Sequence, residues 1–134
     1  MSLYQRFFAH TLAWGDDAQD RLYGDHKRRL FAGLEGTVVE IGPGTGVNLP
    51  HLPDGLRWIG LEPNPHMHGY IRERLDGRAL DAEIRTAPAQ KTGLPDGSVD
   101  AVVSTLVLCS VPDVMDTLAE LRRVLRPGGR LLFI

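Results

Sequence analysis

The chain has 134 residues, 43% hydrophobic and 24% charged, which suits one soluble globular domain with a core and leaves no room for a second. Its formal net charge is −2, its lysines are Lys27 and Lys91, and its arginines are scattered among carboxylates, so there is no electrostatic reason to expect a nucleic-acid partner. The lone Cys109 rules out an intrachain disulfide, Met1 to Phe8 lacks the parts of a signal peptide, and the apolar run Val99 to Val111 is broken and too short to span a bilayer, so a cytoplasmic protein with no membrane partner is expected.

Taken in chain order, Leu3, Phe7, Thr11 and Leu12 have helical spacing, as do Leu22, His26, Leu30 and Leu34. Gly15-Asp16-Asp17 and Gly24-Asp25 punctuate them, which predicts two short helices. Together, residues 1–35 form a helical cap before a core of residues 36–134. Thr37 to Ile41 is a β-branched run that ends at a glycine cluster, the pattern of a buried parallel strand. A short helix follows from about Val47, kept brief by Pro50 and Pro53. Leu56 to Leu61 is the second strand. Asn64 as N-cap with Pro65 in the first turn starts a helix that reaches about Leu75 and yields at Gly77. Glu83 to Thr86 is a third strand and Leu94 to Ser98 is turn chemistry. Asp100 to Leu106 is a fourth strand. Pro112-Asp113 opens a helix with an inward face of Val114, Leu118, Leu121 and Leu125, which Arg126-Pro127-Gly128-Gly129 stops before a fifth strand from Arg130. Alternating strands and helices predict an α/β fold: an open, Rossmann-like, doubly wound, mostly parallel sheet of about five strands in the order 3-2-1-4-5.

Four features then fall in one register. Gly42, Gly44 and Gly46 follow a strand and precede a helix, where they allow a tight turn and close approach to a ligand. Glu40 stands at the strand's end. Glu62 closes the second strand roughly 20 residues later, where a carboxylate accepts hydrogen bonds from both ribose hydroxyls, each charge-assisted bond being worth about 1.5–3 kcal/mol. Thr105 and Leu106 end the fourth strand beside the switch point of the sheet, where ligands of this architecture bind. A dinucleotide site is the chemical competitor. Its fingerprint is G-x-G-x-x-G, whereas this chain has G-x-G-x-G with Val47 at the last position, and Glu40 would face a pyrophosphate with like charge. S-adenosylmethionine carries an ammonium and no phosphate, so the charges favour it.

Val38 to Gly46 resembles the first motif of class I methyltransferases. Leu94 to Asp100 resembles the segment before their fourth strand, and Leu121 to Gly129 the signature before their fifth. From Gly36 onward the chain is similar to the methyltransferase type 11 domain. Leu61-Glu62-Pro63-Asn64-Pro65 and Thr105 to Val111 resemble the methyltransferase-like group that includes alkyl-thiol S-methyltransferases, without the membrane-anchoring N-terminus of its animal members. The resemblance implies S-adenosylmethionine as cofactor and S-adenosylhomocysteine as product. It gives Glu40 and the backbone of Gly42, Pro43, Gly44 and Gly46 the methionine moiety, Glu62 the ribose, and Pro63 a place against adenine. An aspartate that the family often uses at the adenine amino group is replaced by Pro88, leaving the Ala89 backbone and the Gln90 side chain as substitutes. Thr105 and Leu106 would pass near the methionine end.

Other polar residues read as structural. Cys109 is expected to be a small buried hydrophobe rather than a reactive thiol. His66 and His68, two apart on a helix, share no face and are expected on the surface, so no metal site is predicted. His26 and Tyr23 either cover the cofactor pocket or simply pack. The expected function is methyl transfer to a small-molecule nucleophile, a thiol among the acceptors considered, and no catalytic residue stands out. Class I methyltransferases usually continue past the fifth strand with an antiparallel pair, which this sequence lacks. An apolar edge strand at Leu131 to Ile134 favours a homo-oligomer. A cofactor-binding module without chemistry, or a fragment or partner of a larger methyltransferase, stays open beside the enzyme.

Overall fold

A computed structural model describes residues 3–134, apart from the side chains of Ala9, Leu12 and Ala13. Its first element is a single 29-residue helix, α1 (Leu3–Phe31), where two short helices were expected. Gly15 and Gly24 each weaken a helix by about 1 kcal/mol relative to alanine but neither blocks its hydrogen bonds. Tertiary contacts outweigh them. Asp16, Gly24, Lys27 and Phe31 are buried at helical spacing, so the face turned inward is largely polar. Leu3, Phe7 and Leu22, which carry part of the helical spacing, are exposed.

Five strands follow: β1 (Thr37–Ile41), β2 (Arg57–Leu61), β3 (Asp81–Arg85), β4 (Val99–Ser104) and β5 (Leu125–Phe133). They form one parallel sheet in the order β3-β2-β1-β4-β5, as the alternating pattern predicts. Side chains alternate across β1 and build two cores. Val38 packs with Phe31, Leu34, Leu49, Trp58 and Ile71 on one face. Val39 and Ile41 pack with Ile59, Leu61, Val102, Leu121 and Val124 on the other. A 3₁₀ turn at Leu49–His51 replaces the short helix expected from Val47. The segment opened by Asn64 divides into a 3₁₀ turn, Pro65–Met67, and α2 (His68–Leu75); the Asn64 side chain accepts from the His66 N–H.

The helix α3 (Val114–Val124) is capped by Asp113, whose side chain accepts from the Asp116 N–H. Its inward residues are Thr117, Leu121 and Val124, one helical step from the expected set. Val114 is exposed. The Thr117 hydroxyl satisfies itself on the Asp113 carbonyl at 2.8 Å, which lets a polar residue face the core. At the far edge, β5 starts directly at Leu125 rather than at Arg130. Val99 pairs with Leu125 and Ala101 with Arg130, so Arg126 to Gly129 bulge out of the ladder rather than precede it.

Candidate cofactor site

At the carboxyl end of β1 the chain turns through Gly42, Gly44 and Gly46, all with left-handed φ of 57°, 58° and 83°. Only glycine adopts that conformation without strain. The three positions differ in what surrounds them. A Cβ on Gly42 would meet Val107 Cγ2 at 2.8 Å, and one on Gly46 would meet Leu49 Cδ1 at 2.9 Å. A Cβ on Gly44 would meet nothing within 4 Å. Gly42 and Gly46 are therefore glycines for packing, and Gly44 is the one of the three whose backbone faces open space.

Glu62 follows β2 directly and is 6% exposed. One carboxylate oxygen accepts the Gly44 N–H at 2.9 Å and the other accepts the Asn64 N–H at 2.8 Å. A carboxylate has about four acceptor positions, so these two bonds fix its plane and leave one lone pair on each oxygen. Burial raises its pKa, and the Asn64 and Gly44 N–H groups pull it back. The turn and the carboxylate thus hold each other.

Glu40 is buried at the end of β1, on the face occupied by α1 and α2. Asn48 Nδ2 donates to one oxygen at 2.7 Å and Trp58 Nε1 to the other at 3.0 Å. Gly60 makes the second bond feasible. It lies opposite Glu40 in the β1–β2 register, and a Cβ there would meet Trp58 Cη2 at 2.3 Å, so the indole lies across bare backbone to reach the carboxylate. Burial raises the Glu40 pKa to about 7, with the Asn48 and Trp58 hydrogen bonds and the charge of Lys27 opposing. Unfolded, the same carboxyl releases its proton near 4.5. Between those values the folded chain holds the extra proton, so this group's contribution to stability falls as pH rises from about 4.5 to about 7, by on the order of 3 kcal/mol. The Glu40→Gln variant should lose that slope, because an amide of the same shape does not titrate. Thermal melts from pH 5 to 8 are expected to show the variant gaining on the native chain as pH rises; parallel curves would refute the buried, titrating carboxylate.

Asn48 also donates to Thr105 Oγ1 at 2.9 Å, joining β1 to the chain leaving β4. Asn48 Oδ1 and Ser104 Oγ are buried with no hydrogen-bond partner among the described residues. Leu106 has φ of 56°, a strained conformation for a leucine, and its N–H bonds to the Ile134 carbonyl. Thr105 and Leu106 thus lie just past the strand they were expected to end.

Above the turn lies α1. The buried Asp16 accepts from Thr45 Oγ1 at 2.6 Å and from Arg74 Nη2 at 2.7 Å, tying α1 to the glycine turn and to α2. His51 and Asp20 make a second tie. This clasp was not legible in the sequence, nor were the roles of Asn48, Trp58 and Lys27. Asn48 carried a faint signal, a polar residue two positions after the last glycine of the turn. His26, expected to cover the site or pack, is exposed, and Tyr23 is half-buried.

The structure thus joins Glu40 to Thr105 through Asn48, and Gly44 directly to Glu62, a set of separate hydrogen-bonded links with Gly42, Pro43 and Gly46 shaping the turn between them. Pro63 is exposed beside Glu62. No hydrogen bond among the described residues links Ala89 or Gln90 to this set. Gln90 lines a shallow depression of about 330 Å³ with Asp116, Ala119, Glu120 and Arg123 of α3. Two expectations are corrected. Cys109 is exposed, because the chain leaves the sheet at Ser104 and turns, so the apolar run through Val111 is not all strand. His68 is buried, its Nε2 at 2.9 Å from the Glu62 carbonyl, because the 3₁₀ turn brings the start of α2 back beneath that residue. No cluster of metal-ligating side chains occurs among the described residues.

Residues 39–133 match the family model of the methyltransferase domain. The chain belongs to the methyltransferase domain family. This methyltransferase domain is 38% identical over 98% of its length to the human thiol S-methyltransferase TMT1B, covering 58% of that protein. It is 30% identical over 98% of its length to a phosphatidylethanolamine N-methyltransferase of Cereibacter sphaeroides, covering 64% of it. Among solved structures it resembles a SAM-dependent methyltransferase of Thermotoga maritima, with a TM-score of 0.73 and 27% identity, over 97% of the chain and 58% of that structure. The methyltransferase domain therefore spans less than two thirds of each of these three proteins. Their shared scaffold is the Rossmann-like sheet described above, and no helix of the described residues is long and apolar enough to cross a membrane.

Proposed function

We propose that this methyltransferase domain binds S-adenosylmethionine along the glycine turn and takes part in methyl transfer to a small nucleophile, a thiol first among candidates. The observation that carries the reading is Glu62. Its carboxylate is held by two backbone N–H groups, one from the turn itself, and keeps a lone pair on each oxygen for the two ribose hydroxyls. The open face of Gly44 and the unpaired, buried Asn48 Oδ1 suit a ligand that lies on bare backbone and brings a donor.

In this reading Glu40 and the Gly42, Pro43, Gly44 and Gly46 backbone hold the methionine part and Glu62 holds the ribose. Pro63, Ala89 and Gln90 border the adenine, and Thr105 and Leu106 flank the methionine end. When bound, the cofactor supplies a methyl group already activated on a sulfonium, and S-adenosylhomocysteine is left. What the chain adds is alignment, which by itself supplies up to about 7–11 kcal/mol of a transfer barrier. A thiol, with an ordinary pKa of about 8.5, ionises with little help. The similarity to a thiol S-methyltransferase supports that acceptor. A reducing, cytoplasmic setting suits a chain with one unpaired cysteine.

Calorimetry with S-adenosylmethionine and S-adenosylhomocysteine, run beside a turnover assay on thiol, amine and hydroxyl acceptors, tests the proposal. Because the outer edge of β5 is open to a second strand, the preparation is first sized by sedimentation. Binding with a methylated thiol product is the expected result. Binding without product on any acceptor would reduce the chain to a cofactor-binding module, and no binding would overturn the reading.

A further inference from the structure

The amphipathic character of α1 is inverted for a helix packed on a domain. Up to Lys27 its inward face is largely polar, and so are its ties to the rest of the chain. Asp16 bonds to Thr45 and Arg74, Asp20 pairs with His51, and the Gln5 carbonyl accepts from Asn64 Nδ2 at 3.3 Å. Its outward face is aromatic. Phe7 is 69% exposed and Trp14 86% exposed, with Leu3 and Tyr4 also turned to solvent. A contiguous apolar strip of this kind marks an interaction surface.

The spacing of the strip says what fits it. Tyr4, Phe7, Thr11, Trp14 and Ala18, all exposed, follow one another in steps of three and four, the period of a helix-pairing seam. The seam is self-complementary. Let a second copy run antiparallel, with a two-fold axis midway between Thr11 and Trp14. Phe7 then lies opposite the partner's Ala18 and Trp14 opposite the partner's Thr11, so large faces small. Tyr4 lies opposite the partner's Arg21, a ring against a guanidinium. The Thr11 hydroxyl already bonds to the Phe8 carbonyl at 2.9 Å, which leaves its methyl to offer. On one flank His10 comes beside the partner's Asp17, an unlike pair. Tyr4, Phe7 and Trp14 from both copies, at about 150–250 Å² each, bring the buried area to about 1,000 Å², the lower bound of a specific interface.

We propose that the outward face of α1 binds a second copy of this chain as an antiparallel helix pair. The rest of each domain lies on the opposite side of its own α1, so the two bodies do not collide, and the contact uses none of β5. A lipid surface is the competing occupant. It rewards apolar area alone and would favour large side chains at every position of the strip, whereas the seam has threonine at 11 and alanine at 18. Alternation of size has value only against another helix.

Sedimentation equilibrium is expected to show a dimer of the native chain with a Kd of about 1–100 µM, in keeping with a contact near the lower size bound. Phe7→Glu should weaken it at least about 100-fold, because each dimer would bury two carboxylates among apolar groups. Ala18→Lys should weaken it too. Mixed in equal amounts, the two variants should recover a dimer. The antiparallel register sets the new carboxylate of one chain against the new ammonium of the other and leaves the second such contact native. Phe133→Glu, at an exposed side chain of β5, should change nothing. Circular dichroism confirms the fold of each variant, and all three positions are exposed. A native chain that stays monomeric at ten times the upper concentration overturns the proposal without any variant. If that monomer binds vesicles of neutral phospholipid, the face belongs to lipid instead. A mixture no more dimeric than either variant alone overturns the antiparallel seam. Dimers lost in Phe133→Glu but kept in Phe7→Glu place the contact on β5 and overturn it as well.

Discussion

Glu62→Ala should lower the affinity for S-adenosylhomocysteine by about 10²- to 10⁴-fold while leaving a folded chain. Two charge-assisted hydrogen bonds to ribose hydroxyls, at about 1.5–3 kcal/mol each, account for that range. The loss has a second source. Gly44 and Asn64 each donate their backbone N–H to this carboxylate, so alanine leaves both donors to water and loosens the turn that lies along the cofactor. Stability is expected to fall by less than binding, because the carboxylate is itself held above its ordinary pKa by burial and its removal relieves that penalty. Calorimetry on Glu62→Ala and Glu62→Gln would show it. The glutamine keeps one accepting oxygen but must turn an N–H toward a backbone N–H, and it should fall between the two. An alanine variant that binds within a few-fold of the native chain would remove the ribose role.

The second large effect separates two glycines of one turn. Gly44→Ala and Gly46→Ala both force a left-handed φ on alanine, at roughly 1–2 kcal/mol. At Gly44 the new methyl meets no protein atom, so the melting temperature should fall by only several degrees. With the cofactor along the turn as proposed, the methyl would overlap it, and an overlap of about 1–3 kcal/mol should weaken binding about 5- to 150-fold. At Gly46 the methyl meets Leu49 Cδ1 at 2.9 Å and Ile71 Cα at 3.4 Å, inside the core shared with α2. That variant should lose stability first, by about 1–3 kcal/mol beyond the strain. Paired melting and binding curves decide it. If Gly44→Ala binds normally, the open face of the turn does not belong to the cofactor.

Both predictions rest on residues that are legible in the sequence. Glu40, the three glycines and Glu62 are close in sequence to the strand ends that carry them, and a parallel sheet brings those ends to one side. The sheet architecture followed from the alternation of strands and helices, and β1 from a β-branched run that ends at a glycine cluster. Boundaries were less legible where hydrogen bonding from elsewhere sets them. β5 begins at Leu125 because Val99 pairs with it, and Arg126 to Gly129 read as a helix stop only because a bulge uses the same residue types.

Tertiary structure alone decided how the site is supported. The single helix α1 survives two glycines because Asp16 is bonded to Thr45 and Arg74 and because Lys27 and Phe31 are buried, features invisible to a local reading of glycine as punctuation. The same is true of Trp58, whose indole crosses Gly60 to hold Glu40, and of Asn48, which spans from Glu40 to Thr105. The sequence by itself determined the parallel α/β scaffold, the turn and the carboxylates at its strand ends, because each is written in residues within a few positions of one another. The tertiary structure decided which polar groups bury together, because a buried charge is satisfied by whatever partner packing delivers, however distant in the chain. In the G-x-G-x-G turn the two meet. Its left-handed glycines can be read locally, but only the packed structure shows that Gly42 and Gly46 serve the core and Gly44 faces outward.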